Sequence, residues 1–293
     1  MFRLERKDEK MFKAGLVLEG GGLRGVFTAG VLDCFMENDI EFENIIGVSA
    51  GAIHATSYLS KQKGRAMKAT VDHVGKKEYC SFSNVIKTGN LFETNYAYNL
   101  IPNKFNPFDY EAYRNSKMKL YATVTDVISG DADYIELSDL ENQMDALRAS
   151  ASLPLVSEIV EYNGKKYLDG GMSDSIPIKK SISMGYEKNV IVLTQPDGYE
   201  KSADKNGLLM KLLYRKYPGI VKAMKNRHIM YNDTLSYIKA LEKEGRVFVI
   251  RPSQPLVAGR IEKDRKKLED VYDTGYKIAY DCFSDMLEYL SDV

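Results

Sequence analysis

The sequence predicts an α/β fold built on a parallel sheet. Strands and helices alternate from the start of the chain, and glycines sit where each strand hands over to a helix. Residues 14–19, AGLVLE, read as a buried strand. The following LRGVFTAGVLDCFMEN places Val26, Ala29, Leu32 and Phe35 at helical spacing. Residues 44–48 form a second apolar strand, and SAGAIHATSYLS reads as the next helix. Late in the chain, 189–196 (NVIVLTQP) and 246–253 (RVFVIRPS) read as two further buried strands.

The middle is less regular. Residues 82–116 are rich in Asn, Phe and Tyr and read as an insertion of short helices and loops. Residues 118–130 and 132–138 look like two strands, and DLENQMDALRASA reads as a helix entered at Asp139. EIVEYNGKKYLDGG reads as a hairpin, because Asn163-Gly164 is the favoured two-residue turn between alternating strands. The tail from Arg260 onward reads as one long helix. The expected layout is a domain over 10–200 and a mostly helical extension over 201–293, packed on it and including one more strand near 246–252.

Composition narrows the function classes. The 293 residues suffice for a sizeable core, and 44% hydrophobic with 28% charged residues is ordinary for a globular protein. Forty-one basic residues balance forty-one acidic ones, so no global charge argues for a nucleic-acid partner. Three widely spaced cysteines, Cys34, Cys80 and Cys282, fit a reduced compartment better than a disulfide framework and cannot alone hold zinc. The opening MFRLERKDEKMFK has no apolar run, and no stretch approaches the roughly 18–20 apolar residues of a membrane span. A cytoplasmic location is the expectation, without cofactor or metal.

Three motifs carry chemistry. In IIGVSAG, Ser49 lies between Gly47 and Gly51 at a strand-to-helix junction. A helix cap explains Ser49 at about 1 kcal/mol but not both glycines. A nucleophile elbow explains all five residues of Gly-Val-Ser-Ala-Gly, since the backbone doubles back around the serine and needs small neighbours. The second motif, Gly20 to Gly25 (Gly20, Gly21, Gly22, Leu23, Arg24, Gly25), formally satisfies G-x-G-x-x-G between a strand and a helix. A dinucleotide site also wants an acidic residue at the end of the second strand. Gly47-Val48-Ser49 fills that place, while Glu41 and Glu43 precede the strand. The loop's other use is an oxyanion hole, with Arg24 adding positive charge. The third motif is Leu168-Asp169-Gly170-Gly171. With the hairpin turn already assigned to Asn163-Gly164, Asp169 ends the returning strand and could take the Ser49 proton directly. The three histidines, His54, His73 and His228, fit catalysis poorly. His54 should face away along the helix after Ser49, and His228 should lie on a surface helix.

Taken in this order, Gly20–Gly25, Gly47–Gly51 and Asp169–Gly171 resemble the patatin-like phospholipase family, including its bacterial members. Residues 146–171, ALRASASLPLVSEIVEYNGKKYLDGG, are similar to the family's Ala-Ser-…-Pro segment leading into Asp-Gly-Gly/Ala. The resemblance spans roughly 14–195, and none of the three motifs departs from the family pattern. It implies a three-layer α/β/α sandwich with a mostly parallel sheet and helical decorations, and hydrolysis of acyl esters in lipids. It also implies Ser49 as nucleophile, Asp169 as its activator, and the amides of Gly21, Gly22 and Leu23 as oxyanion hole. The insertion 82–116 and the tail after 200 are unfamiliar against the family pattern and leave the substrate range open.

A lipid or acyl ester is therefore the expected partner. Phe92, Tyr96, Tyr98, Phe105, Phe108, Tyr110 and Tyr113 are candidates for an acyl pocket, with plain packing as the alternative. Residues 205–232 carry seven Lys/Arg and no Asp/Glu among apolar residues. That suits a helix packed on the core with a solvated basic side, with peripheral contact at an anionic membrane face as the alternative. Two rival readings stay open: a nucleotide-binding protein using Gly20–Gly25, and a non-catalytic lipid-binding protein of the same architecture.

Overall fold

The structure is a computed structural model that describes residues 10–204 and 207–291. Most of the opening segment, and the first two residues of the basic stretch 205–232, lie outside them. Eight strands form one sheet: β1 (Lys10–Leu18), β2 (Ile40–Val48), β3 (Lys119–Asp126), β4 (Ala132–Glu136), β5 (Val160–Tyr162), β6 (Lys165–Asp169), β7 (Asn189–Val192) and β8 (Val247–Ile250). Their order is β5-β6-β3-β2-β1-β7-β8, with β4 also paired to β3. The run from β3 through β2, β1 and β7 to β8 is parallel; β4, β5 and β6 join antiparallel.

Alternation along the central strands builds three layers. Leu16 and Leu18 of β1, with Val190 and Val192 of β7, face a layer made by α1 (Val26–Glu37), α2 (Ala50–Leu59), α10 (Arg265–Asp281) and α11 (Phe283–Ser291). Val17, Ile191 and Leu193 face the opposite layer, made by α7 (Ile178–Ser183) and α9 (Pro218–Lys243). Shorter helices complete the chain: α3 (Arg65–Val71), α4 (Phe82–Thr88), a π-helical turn over Tyr96–Phe105, α5 (Tyr110–Arg114), α6 (Met144–Ser150) and α8 (Gly207–Leu213).

One helix pair crosses backbone to backbone. A Cβ on Gly30 of α1 would lie 2.1 Å from the Tyr272 carbonyl of α10, and a Cβ on Gly275 of α10 would lie 2.1 Å from the Phe27 carbonyl. Only two glycines allow that approach. Asp33 locks the crossing, accepting hydrogen bonds from the Tyr272 hydroxyl (2.5 Å) and the Gly64 amide (2.8 Å).

Four local readings change. α6 starts at Met144 rather than at Asp139, because Asp139 closes a turn instead: its carbonyl and carboxylate accept from the Asn142 backbone and side chain (3.1 and 2.6 Å). Side-chain bonds of this kind compete with the helix. The tail is two helices, broken at Cys282, where φ −98° and ψ 10° leave helical geometry. β2 starts at Ile40, so Glu41 and Glu43 lie inside it. The basic stretch is α8 and the start of α9, divided before Pro218. The hairpin is as read, with positive φ at both Asn163 (49°) and Gly164 (75°).

Candidate active site

The sheet's register places Ser49 and Asp169 side by side. β2 ends at Val48, which pairs with Thr123 of β3. One residue later, Val124 pairs with Asp169 of β6. β4 occupies the other edge of both Thr123 and Val124, as Tyr134 and Asp133. β6 therefore takes over the very edge of β3 that β2 leaves, and Asp169 arrives where the chain turns away at Ser49.

That turn is an elbow. Ser49 has φ 54° and ψ −121°, and its side chain makes no capping bond to α2. A Cβ on Gly47 would stand 2.5 Å from the Ala52 backbone, so the doubled-back chain tolerates none; Gly51 packs as closely on the Leu18 carbonyl. Ser150 secures the bend from below. Its hydroxyl accepts the Ser49 N–H (2.9 Å) and donates to the Thr123 carbonyl (2.7 Å).

Asp169 is held at every point but one. Its N–H donates to the Ser152 carbonyl (2.8 Å), and its carbonyl accepts from the Thr125 hydroxyl (2.8 Å). Oδ1 accepts the Gly171 N–H at 2.7 Å. Oδ2 is buried and makes no well-formed hydrogen bond among the described residues. Burial pushes the carboxyl above its usual pKa, while Arg227, the Gly171 N–H, the nearby Ser49 hydroxyl and Arg260 pull the other way. Gly170 rests on the Thr123 carbonyl, where a Cβ would come to 2.2 Å.

The glycine loop closes the site. Gly22, at φ 58°, opens a single 3-10 turn, Gly22–Gly25, that leads into α1. Gly20 lies against the elbow, since its Cβ would be 3.1 Å from that of Ser49. Among the described residues the N–H groups of Gly20 and Gly21 have no acceptor. Leu23 differs: its N–H donates to the Arg260 carbonyl at 3.0 Å. The Leu23 amide therefore drops out as an oxyanion donor. Arg24 lines the same polar side and donates to the Thr194 hydroxyl (3.2 Å), and Gly25 packs on Ala50 at the start of α2.

Two cavities meet at Ser49. A mostly apolar one of about 160 Å³ runs between α2, the 90–108 segment and α6. Phe92, Tyr98 and Phe108 line it as expected; Tyr96, Phe105, Tyr110 and Tyr113 do not. Tyr96 instead bonds His73 (3.0 Å), and the Tyr113 hydroxyl donates to the Leu137 carbonyl (2.6 Å). His54 also lines this cavity rather than facing away, but burial lowers its pKa to about 4 and keeps it neutral. The second cavity is small and polar, and it contains Ser49, Asp169 and the glycine loop. His228 lines neither.

A family model described as patatin-like phospholipase matches residues 16–181, more than half the chain. The chain belongs to the patatin-like phospholipase family. The match covers all three glycine motifs. A second model, a domain of unknown function (DUF6363), matches residues 217–291. Among similar proteins is the uncharacterized protein YjjU of Escherichia coli, 28% identical over 250 residues, which are 83% of this chain and 70% of that one. Lysophospholipase NTE1 of Meyerozyma guilliermondii is 23% identical over 92% of this chain, which spans only 19% of that protein's length. The crystal structure of VipD from Legionella pneumophila aligns with a TM-score of 0.47 at 13% identity, covering 93% of this chain and 67% of that one.

Sequence reading missed several residues that shape this candidate site. Ser150 sits in the Ala-Ser segment but had no assigned task. Arg227 of α9 donates from Nε to the Gly171 carbonyl (2.6 Å), beside Asp169. Lys201 and Arg260 reach the polar cavity from loops. Arg227 falls in the basic stretch 205–232, whose charge does not say where a cation ends up, and Lys201 and Arg260 lie outside that stretch with no signal of their own.

Proposed function

We propose that this protein is a lipid acyl hydrolase that uses Ser49 as nucleophile and Asp169 as its general base. The observation that carries this reading is the pairing of a strained, non-capping serine with a buried carboxylate oxygen that makes no well-formed hydrogen bond among the described residues, both in one cavity. Asp169 takes the Ser49 proton as Oγ bonds to the ester carbonyl carbon. The Gly21 and Gly22 amides, aided by the N-terminus of α2, stabilise the oxyanion; one such donor is typically worth about 10²–10³ in rate. On collapse the carbonyl-to-alcohol bond breaks, and the leaving oxygen takes the proton from Asp169. Water then attacks the acyl-enzyme, giving its proton to Asp169, which returns it to Ser49 as the fatty acid leaves. The apolar cavity would receive the acyl chain. That NTE1 is named a lysophospholipase supports lipid esters as the substrate class.

The nucleotide alternative is weakened by the loop itself. Arg260 covers Gly22 and takes the Leu23 amide, and the second strand ends at Val48 and leads into Ser49 instead of an acidic residue. The test is labelling with a fluorophosphonate probe alongside hydrolysis of p-nitrophenyl acyl esters. Covalent labelling lost in Ser49→Ala, with turnover lost in Ser49→Ala and Asp169→Asn, is expected. Turnover that survives either substitution refutes the dyad, and an unlabelled protein stabilised by nucleotide would favour the rival.

We also propose peripheral contact with an anionic membrane face through α8. Leu208 and Leu212 are 84% and 68% exposed, next to the exposed Lys211, Arg215 and Lys216. Co-sedimentation with phosphatidylglycerol vesicles should fail in Leu208→Ser/Leu212→Ser. Equal pelleting of that variant would remove the contact.

A further inference from the structure

The two cavities that share Ser49 differ in kind, and the difference says which side of an ester each receives. On the polar side Arg24, Lys201, Arg227 and Arg260 converge, against the carboxylates of Glu19 and Asp169. Glu19 is fully engaged: Oε2 accepts the Thr194 N–H (2.6 Å) and hydroxyl (3.0 Å), and Oε1 accepts the Tyr231 hydroxyl (2.6 Å). Among the described residues none of the four cations forms an ion pair with a carboxylate. Asp204 acts on Arg227 at longer range. The Lys201 ammonium instead lies 4.1 Å from the Tyr231 ring centre. Burial, then the charges of Arg227 and Arg260, push Lys201 down to about 7. Like charges gathered in a half-buried cleft are costly unless an anion answers them.

We infer that this polar chamber seats the phosphate of a glycerol-phosphate head group, on the alcohol side of the scissile ester. The inference rests on the hydrolase reading for its direction, since the apolar cavity takes the acyl side. It chooses among lipid esters. An anionic head group gains from the excess of positive charge, a neutral one gains nothing, and a quaternary ammonium is repelled. Three of the four cations come from beyond residue 200, outside the matched family segment, so most of the chamber's positive charge is supplied by the chain's C-terminal part.

Two measurements test it. The first compares kcat/KM for four monoacyl lipids with one oleoyl chain: lysophosphatidic acid, lysophosphatidylglycerol, lysophosphatidylcholine and monoolein. The anionic pair should exceed monoolein by about tenfold, the factor that 1.4 kcal/mol of charge complementarity supplies, with lysophosphatidylcholine, whose ammonium offsets its phosphate, between them. That ratio should fall towards one in Lys201→Gln and in Arg260→Gln. Arg260→Gln keeps the main-chain carbonyl that holds Leu23, so the loop is spared. Equal rates on all four lipids, or an unchanged ratio in both variants, overturn the inference.

The second measurement is calorimetry on the Ser49→Ala protein with glycerol 3-phosphate, inorganic phosphate and glycerol. Glycerol 3-phosphate should bind about tenfold more tightly than inorganic phosphate, and glycerol should not bind. Equal affinity for both phosphates would make this a free-phosphate site and overturn the head-group assignment, as would no binding at all. Glycerol 3-phosphate binding in a protein whose Ser49 resists the fluorophosphonate would sustain the chamber and sink the hydrolase reading.

Discussion

Replacing Ser49 in two ways separates its chemistry from its backbone. Both Ser49→Ala and Ser49→Gly remove the hydroxyl, and both keep the main-chain N–H that Ser150 accepts. Only glycine also removes the Cβ. At φ 54° and ψ −121° a side chain is strained, at a cost of about 1–3 kcal/mol. Glycine relieves this but loses about 0.4–1 kcal/mol through the greater freedom of the unfolded chain. The net expectation is that the glycine variant is more stable than the alanine variant by about 1 kcal/mol. For a chain of this length that is roughly 2 °C in Tm. Urea and thermal unfolding of the two inactive proteins would measure it. A glycine variant no more stable than alanine would mean that the elbow stores no strain.

Asp169→Asn should abolish ester turnover yet raise stability at neutral pH. Burial raises the folded carboxyl pKa above the unfolded value near 3.8, so the group's contribution is present below that value and is lost as pH rises through the folded pKa. The Tm advantage of the asparagine variant should therefore grow from about pH 4 upward and then level off; an advantage independent of pH would refute the assignment. Wild-type kcat/KM should rise across that same window as Asp169 ionises, with its acid limb above the ordinary carboxylate range. Ser150→Ala should cost about 1–3 kcal/mol by stranding the buried Ser49 N–H and should lower kcat more than it raises KM, measured by unfolding and steady-state kinetics. Gly170→Ala should destabilise by at least about 1–3 kcal/mol, because its methyl would meet the Thr123 carbonyl; a wild-type Tm would contradict that packing.

The parts legible in the sequence are those with a local signature. Alternating strands and helices, the Asn163-Gly164 turn and three glycine motifs each announce themselves within a few residues. Even the Ser49–Asp169 pairing was foreseeable, because the hairpin turn left Asp169 at a strand end. What brings the two together was not, since it depends on β6 replacing β2 along one edge of β3. Other absences have the same origin. Lys201, Arg227 and Arg260 meet only because a loop, a long helix and another loop converge, and no periodicity records that. The Leu23 amide looked available because nothing near it in sequence predicts a carbonyl from position 260. Among the aromatics of 82–116, composition promised a greasy lining but did not say that Tyr96 and Tyr113 would spend their hydroxyls elsewhere.

The Gly30–Gly275 crossing bears on how such a chain can be inherited. The two residues fall in stretches that match separate family descriptions, 16–181 and 217–291, yet Gly30 makes room for the Tyr272 carbonyl and Gly275 for the Phe27 carbonyl of the opposite helix. A shuffled gene that joined the first stretch to an unrelated tail would confront bare backbone with a side chain and force the helices apart. The halves must travel as partners, because a side chain at either glycine meets backbone that no substitution opposite can shorten.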